Sequence, residues 1–200
     1  MKKTSNNYLY FSIIILFLFT SGCASSGTSI LKLKYEPLAN TKSTNSLAPN
    51  IRLINFQDVR DGKNEPEIIG HREAAFGVSM GDVKVERPIS EIIHNAFSSE
   101  LIQNGYHMVN TGEDFTITGK ILKFWVGTDV TSLYWDVYGE IKIEIEVKNT
   151  NGETTKVGPY SSKNIERTYT NPSVPIMERV LLASLKEVID KILSDKEFPK

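Results

Sequence analysis

From Val137 to Lys148 the chain alternates without a break: Val137, Gly139, Ile141, Ile143, Ile145 and Val147 on one parity, Tyr138, Glu140, Lys142, Glu144, Glu146 and Lys148 on the other. Successive side chains of an extended chain point to opposite faces, so this segment commits the fold to an antiparallel sheet with one apolar and one solvated face. The apolar face needs a cover, and two helical patterns supply it. Behind Pro88, Ile89, Ile92, Ile93, Ala96, Phe97 and Leu101 recur at steps of three and four residues, and Asn104-Gly105 is a stop signal. Behind Pro172 and Pro175, the stretch from Val174 to Ser194 gathers Met177, Leu181, Leu185, Val188, Ile189 and Ile192 on one side.

The remaining strands are weaker. Ile51 to Phe56 is rich in β-favouring residues and ends at the turn Asp58-Val59-Arg60-Asp61-Gly62; Tyr106 to Val109 is short; Phe115 to Val126 reads as a strand partly apolar on both faces. Ile69 to Val85, punctuated by Gly70, Gly77 and Gly81, reads as irregular or hairpin-like, and Asn149-Thr150-Asn151-Gly152 closes a hairpin onto Glu153 to Thr168. The expected architecture is α+β, a mainly antiparallel sheet with two amphipathic helices packed on one face, formed by a single domain over residues 50–200.

The first residues follow a different logic. Lys2 and Lys3 precede an apolar run from Tyr8 to Phe19 of about 12 residues, where a spanning helix needs roughly 20. A short basic start, a short apolar run and small residues after it are the order of a signal peptide. The run closes in Phe19-Thr20-Ser21-Gly22-Cys23, which resembles the lipobox of bacterial lipoproteins, with Thr20 where leucine is usual. The resemblance implies cleavage between Gly22 and Cys23, a thioether-linked diacylglycerol on Cys23 and, in many Gram-negative bacteria, a further acyl chain such as palmitate on the new amino terminus. Two or more chains anchor stably where one does not. Residues 1–22 are thus expected to be removed, and residues 23–49, rich in Ser, Thr, Asn and Lys, to be a lipidated flexible tether interrupted by a possible short strand at Ile30 to Tyr35. Ala24 and Ser25 follow the cysteine, with no aspartate of the kind that resembles an inner-membrane retention signal, so the expected location is the outer membrane, facing the periplasm.

Cys23 is the only cysteine, so no internal disulfide can form and the core alone must hold the domain. Removing residues 1–22 takes away two lysines and no acid, leaving 21 basic and 24 acidic residues. This mild acidity gives no electrostatic reason to expect nucleic acid as a partner.

Little in the chain suggests catalysis. Gly77-Val78-Ser79-Met80-Gly81 fits the G-x-S-x-G pattern of a nucleophile elbow, which needs a helix directly behind the serine. Asp82 to Pro88 is extended in character instead, and a glycine-hinged loop is the reading that fits. His71, His94 and His107 are scattered over loop, helix and strand without metal-ligand spacing, and Asp58, Asp61 and Asp82 lack the regular spacing of a calcium loop. No metal, no cofactor beyond the acyl groups on Cys23, and no enzymatic activity are expected. The one candidate binding feature is aromatic: Phe124, Trp125, Tyr134, Trp135 and Tyr138 crowd around one hairpin connection. Core packing accounts for such residues in most sheets. Tyr138 falls on the polar parity and Trp135 beside the turn, however, so Trp125, Tyr134, Trp135 and Tyr138 are candidates for an exposed partner-binding patch.

The order of features resembles the YajG family of Gram-negative lipoproteins over nearly the whole mature chain. It includes the cysteine behind a signal run, Ile51 to Arg60 ending in Asp-x-Arg, Ile69-Gly70, Phe76-Gly77-Val78, a helix closing in Glu100-Leu101-x-x-x-Gly105-Tyr106, the strand pair around Asn149 to Gly152, and the carboxy-terminal helix. The resemblance implies an outer-membrane lipoprotein with no catalytic residues to carry over. The expected function is that of a membrane-anchored, non-enzymatic interaction or accessory module of the cell envelope, bound to the membrane through its lipid and to an envelope protein through its surface. The alternative is a small-ligand or lipid-binding accessory lipoprotein of an envelope transport system, which needs a cavity between sheet and helices.

Overall fold

The computed structural model describes residues 27–37, 48–61, 65–74 and 77–199. Its centre is a meander of three long strands: β7 (Phe115–Val130), β8 (Trp135–Asn149) and β9 (Thr154–Thr168), antiparallel throughout. The alternation of β8 appears as written: Val137, Gly139, Ile141, Ile143, Ile145 and Val147 are buried and the residues between them are not. The free side of β7 is lined in turn by three short strands running parallel to it: β2 (Asn50–Leu53), β3 (Gln57–Asp58) and β4 (Ile68–Glu73). Outside β2 lies β6 (His107–Met108), and outside β4 lie β5 (Ser79–Val85) and then β1 (Ser29–Leu31). The nine-stranded sheet is therefore mixed, a correction to the mainly antiparallel expectation: five of the eight strand pairings among the described residues are parallel.

A bulge explains why β7 looked apolar on both faces. Ile121 pairs with Ile143 and Lys123 with Lys142, which leaves Leu122 as an extra residue. An unpaired residue shifts the side-chain parity by one. Before it Ile117, Gly119 and Ile121 face the core; after it Phe124, Val126 and Thr128 do.

Both helices cover the same face. Helix α1 (Ile89–Gln103) sets Phe97 edge-on to Phe56, with ring centroids 5.6 Å apart, and Phe56 lies on Gly119, where a Cβ would come within 2.2 Å of its ring. Helix α2 (Val174–Ser194) packs so closely on β8 that a Cβ at Gly139 would stand 2.7 Å from the backbone of Val180 and Leu181. Ser184, buried mid-helix, donates to the Gly139 carbonyl at 2.7 Å and accepts from the Asn164 amide at 3.0 Å, so the helix also satisfies part of the β9 edge. Past the helix the chain turns back, and Phe198 is buried against Phe97 and Tyr106.

The segment 27–37, assigned above to a tether with a possible strand, is built into the domain. β1 runs parallel to β5, Leu31 and Leu33 are buried, and Tyr35 donates to the buried carboxylate of Glu100 at 2.5 Å, with the Lys186 ammonium 3.6 Å from the same oxygen. Burial first, then the Glu100 carboxylate, push the Tyr35 phenol well above its ordinary range.

Candidate functional site

The sheet face turned away from the helices is solvated, and its chemistry is uneven along the strands. Towards the Asn149–Glu153 turn it is ionic. Lys120 reaches Glu144 at 4.0 Å and Glu146 at 3.4 Å, Arg52 reaches Glu113 at 2.9 Å, and a polar groove of about 560 Å³ lies among Arg52, Thr116, Thr118 and Lys148. Such exposed pairs contribute little to stability.

Past the bulge the same face becomes aromatic. Trp125 lies edge-on to His71 with centroids 5.2 Å apart, and the His71 ring meets Asp82 at 2.8 Å across the β4–β5 pair. Tyr138 fills the space over Gly127, where a Cβ would stand 2.5 Å from its ring, and Lys163 crosses it at 3.9 Å. Beside Trp125 a second groove, of about 580 Å³, is lined by Leu122, Ile68, His71, Lys123, Arg60 and Asp61. Both grooves lie on the solvated face, not between the sheet and its helices.

The sequence candidates therefore separate. Trp125 and Tyr138 share the open face. Tyr134 sits at the β7–β8 turn, with Arg167 over its ring at 3.6 Å and Tyr169 edge-on to it, while Arg167 is held in a two-point pair with Asp136 at 2.8 Å. Trp135 has the parity of Val137, towards the helices, and its buried indole nitrogen has no hydrogen-bond partner among the described residues. Phe124 is core. Gly22 and Cys23, the cleavage and lipidation candidates, lie outside the described residues.

The Gly77–Gly81 motif forms the start of β5, with Ser79 Oγ accepting from the Gly81 amide at 3.4 Å, so strand follows turn where an elbow requires a helix. Among the described residues no group of three or more His, Cys, Asp or Glu side chains is placed to hold a metal ion, and no helix is long and apolar enough to cross a membrane.

Arg60 is the residue that sequence reasoning passed over as part of a turn. β3 pairs with β7 up to Ile121 and β4 resumes at Val126, leaving a gap along the β7 edge. The guanidinium fills it: Arg60 is bonded twice to Asp58 at 2.9 Å and donates to the carbonyls of Phe124 at 3.1 Å and Pro66 at 2.8 Å. The signal was the Asp-x-Arg spacing, which places both partners on one side of an extended chain. The His71–Trp125 contact had no such signal, because its partners are far apart in sequence.

Comparison with known proteins gives the fold and the family. No curated protein matches the chain. Among solved structures it is similar to a DUF330-family protein from Xanthomonas campestris at 7% identity, over 82% of this chain and 92% of that one, with a TM-score of 0.54. Weaker likenesses are to a minor lipoprotein from Acinetobacter baumannii (9% identity, 72% and 91% covered, TM-score 0.39) and a lipoprotein from Neisseria meningitidis (10% identity, 71% and 99% covered, TM-score 0.33). A family model described as "Uncharacterized lipoprotein" matches residues 38–200, which span the whole meander and both helices, and the chain belongs to that lipoprotein family.

Proposed function

We propose that this chain is a YajG-like outer-membrane lipoprotein, anchored by acyl chains on Cys23, that serves the cell envelope as a non-enzymatic accessory module facing the periplasm. The observation that carries the reading is the open face beyond the bulge, where Trp125, Tyr138, Leu122 and the 58%-exposed Ile165 stand among paired charges. Aromatic groups rimmed by polar ones are the composition of a protein–protein contact. Membrane attachment confines module and partner to one envelope layer, so a modest contact area is enough.

Two measurements test this. Cys23→Ser abolishes incorporation of radiolabelled palmitate; persistent label on the variant refutes the anchor. Crosslinking in cells with mass spectrometry captures an envelope protein, and Trp125→Ala with Tyr138→Ala loses it while palmitate labelling stays intact. Capture of the same partners by the double variant ends the open-face assignment.

A second reading, a small-ligand or lipid-binding module, rests on the open groove beside Trp125 in place of the cavity between sheet and helices expected for it. In a Trp135→Phe background, lysophosphatidylcholine then shifts the emission of Trp125; an unchanged spectrum removes this reading.

A further inference from the structure

The strand registers fix the end of the sheet from which Gly27 leads back along the chain towards Cys23. Ser29 pairs with Val83, so the backbone of Gly27 lies on Gly81, where a Cβ would come within 2.6 Å of the Gly27 carbonyl. Gly81 pairs with Arg72, and Gly70 with Val126, which sets Arg72 abreast of Thr128. The hairpin of β7 and β8 continues past that level through Asp129 and Val130 to the turn closed by Thr131 and Tyr134, about 10 Å further at the usual rise per strand residue. Thr168, opposite Trp135, brings Tyr169 to the same end.

From Cys23 to Gly27 there are four chain steps, which reach at most about 14 Å. Acyl chains on Cys23 therefore hold this end against the bilayer, and the turn projects far enough to meet it. The residues there suit that position. Leu133 is 77% and Tyr169 74% exposed, the highest among the described large hydrophobic residues, and Tyr134 and Val78 stand beside the same edge. The turn at the other end, Thr150-Asn151-Gly152, is polar, as a turn in water ordinarily is. Tyr rings prefer the membrane–water boundary, and Leu gains by entering it. Arg167 is already paired with Asp136, and Arg72 with the Gly27 and Met80 carbonyls, so attraction to anionic headgroups is not required.

We infer that the β7–β8 turn and the Tyr169 loop form a membrane-resting surface, with Leu133, Tyr134 and Tyr169 seated in the headgroup layer and the open face carrying Trp125 held roughly perpendicular to the bilayer. The inference rests on the Cys23 anchor proposed above.

The test separates the two. The mature chain from Cys23 onward keeps every described residue, and its single thiol couples to a maleimide phospholipid in phosphatidylcholine vesicles whether or not a cell acylates it. Hydrogen–deuterium exchange is then compared between tethered and free protein. Peptides covering 131–134 and 169–171 are expected to slow by about tenfold, while those covering 150–152 do not change. Leu133→Asp with Tyr169→Asp, at two exposed positions that leave the core untouched, is expected to abolish the slowing without reducing tethering. Equal exchange at both ends, or slowing confined to the Trp125 face or the Asn151 turn, overturns the proposal. A protein purified from membranes without acyl mass on Cys23 overturns the anchor instead.

Discussion

At the scale of single residues, the chain's ion pairs differ in what they accomplish. Arg60 occupies a gap in strand pairing and satisfies carbonyls that no neighbouring strand reaches, so its charge is used as backbone structure. Glu187 sits where α2 meets β9. Its carboxylate is held by Lys191 at 2.7 Å, by the Ser162 hydroxyl at 2.6 Å and by Asn164, and these partners, Lys191 first, bring its pKa from the usual 4.5 to about 2. A carboxylate whose folded pKa is depressed stabilises the fold above its unfolded pKa and loses that contribution as pH falls through the folded one. Glu187→Gln should therefore be less stable than the parent at neutral pH, with the gap closing between about pH 4.5 and about pH 2; urea midpoints across that range check it. A gap that stays constant down to pH 2 would sink the assignment.

At the scale of elements, α2 docks through backbone contact, not through interdigitated large side chains alone. Gly139 and Ser184 make that possible, one by lacking a Cβ and the other by bonding to the strand carbonyl. Gly139→Ala forces helix and strand apart and should cost roughly 1–3 kcal/mol in urea unfolding, with no gain from the added methyl. The two helices and β8 were legible in the sequence because each runs long enough for its period to repeat: the 89–103 and 174–194 stripes coincide with helices of the same extent. The parallel strands beside the meander were legible only in part. Ile51 to Phe56 and Tyr106 to Val109 were expected as strands and contain β2 and β6, but β2, β3 and β6 have two to four residues each, too few to display any period, so their pairing, β2 and β3 on the free edge of β7 and β6 outside β2, is a property of the assembled sheet. Leu122 hid β7 in another way, since one extra residue makes a half-buried strand look buried on both sides. Of the aromatic group, the residue types were visible but not their division between two faces and a turn, because parity fails at the hairpin end.

At the scale of the whole molecule, the amino-terminal segment is a structural part of the domain. Leu31 and Leu33 are buried in the same cluster as the helix and sheet residues, so Leu31→Ala should destabilise the entire domain by about 2–5 kcal/mol, as for a central core leucine, and thermal unfolding should remain one transition. A separate early transition would mean that β1 is an appendage. Residues near both ends of the described chain bond to the α1 region: Tyr106, just past α1, donates to the Pro199 carbonyl at 2.7 Å, and Tyr35 donates to Glu100 within that helix. β1 and β5 run the same way, with the start of β1 at the end nearest Cys23. Tension on an acylated Cys23 would be drawn along β1, loading its rungs to β5 together in shear instead of peeling them one at a time. Leu31, Leu33 and Tyr35 lie behind those rungs as a plug that must leave the core before the strand can slide, so a load drawn through such an anchor would be resisted by the interior of the protein itself.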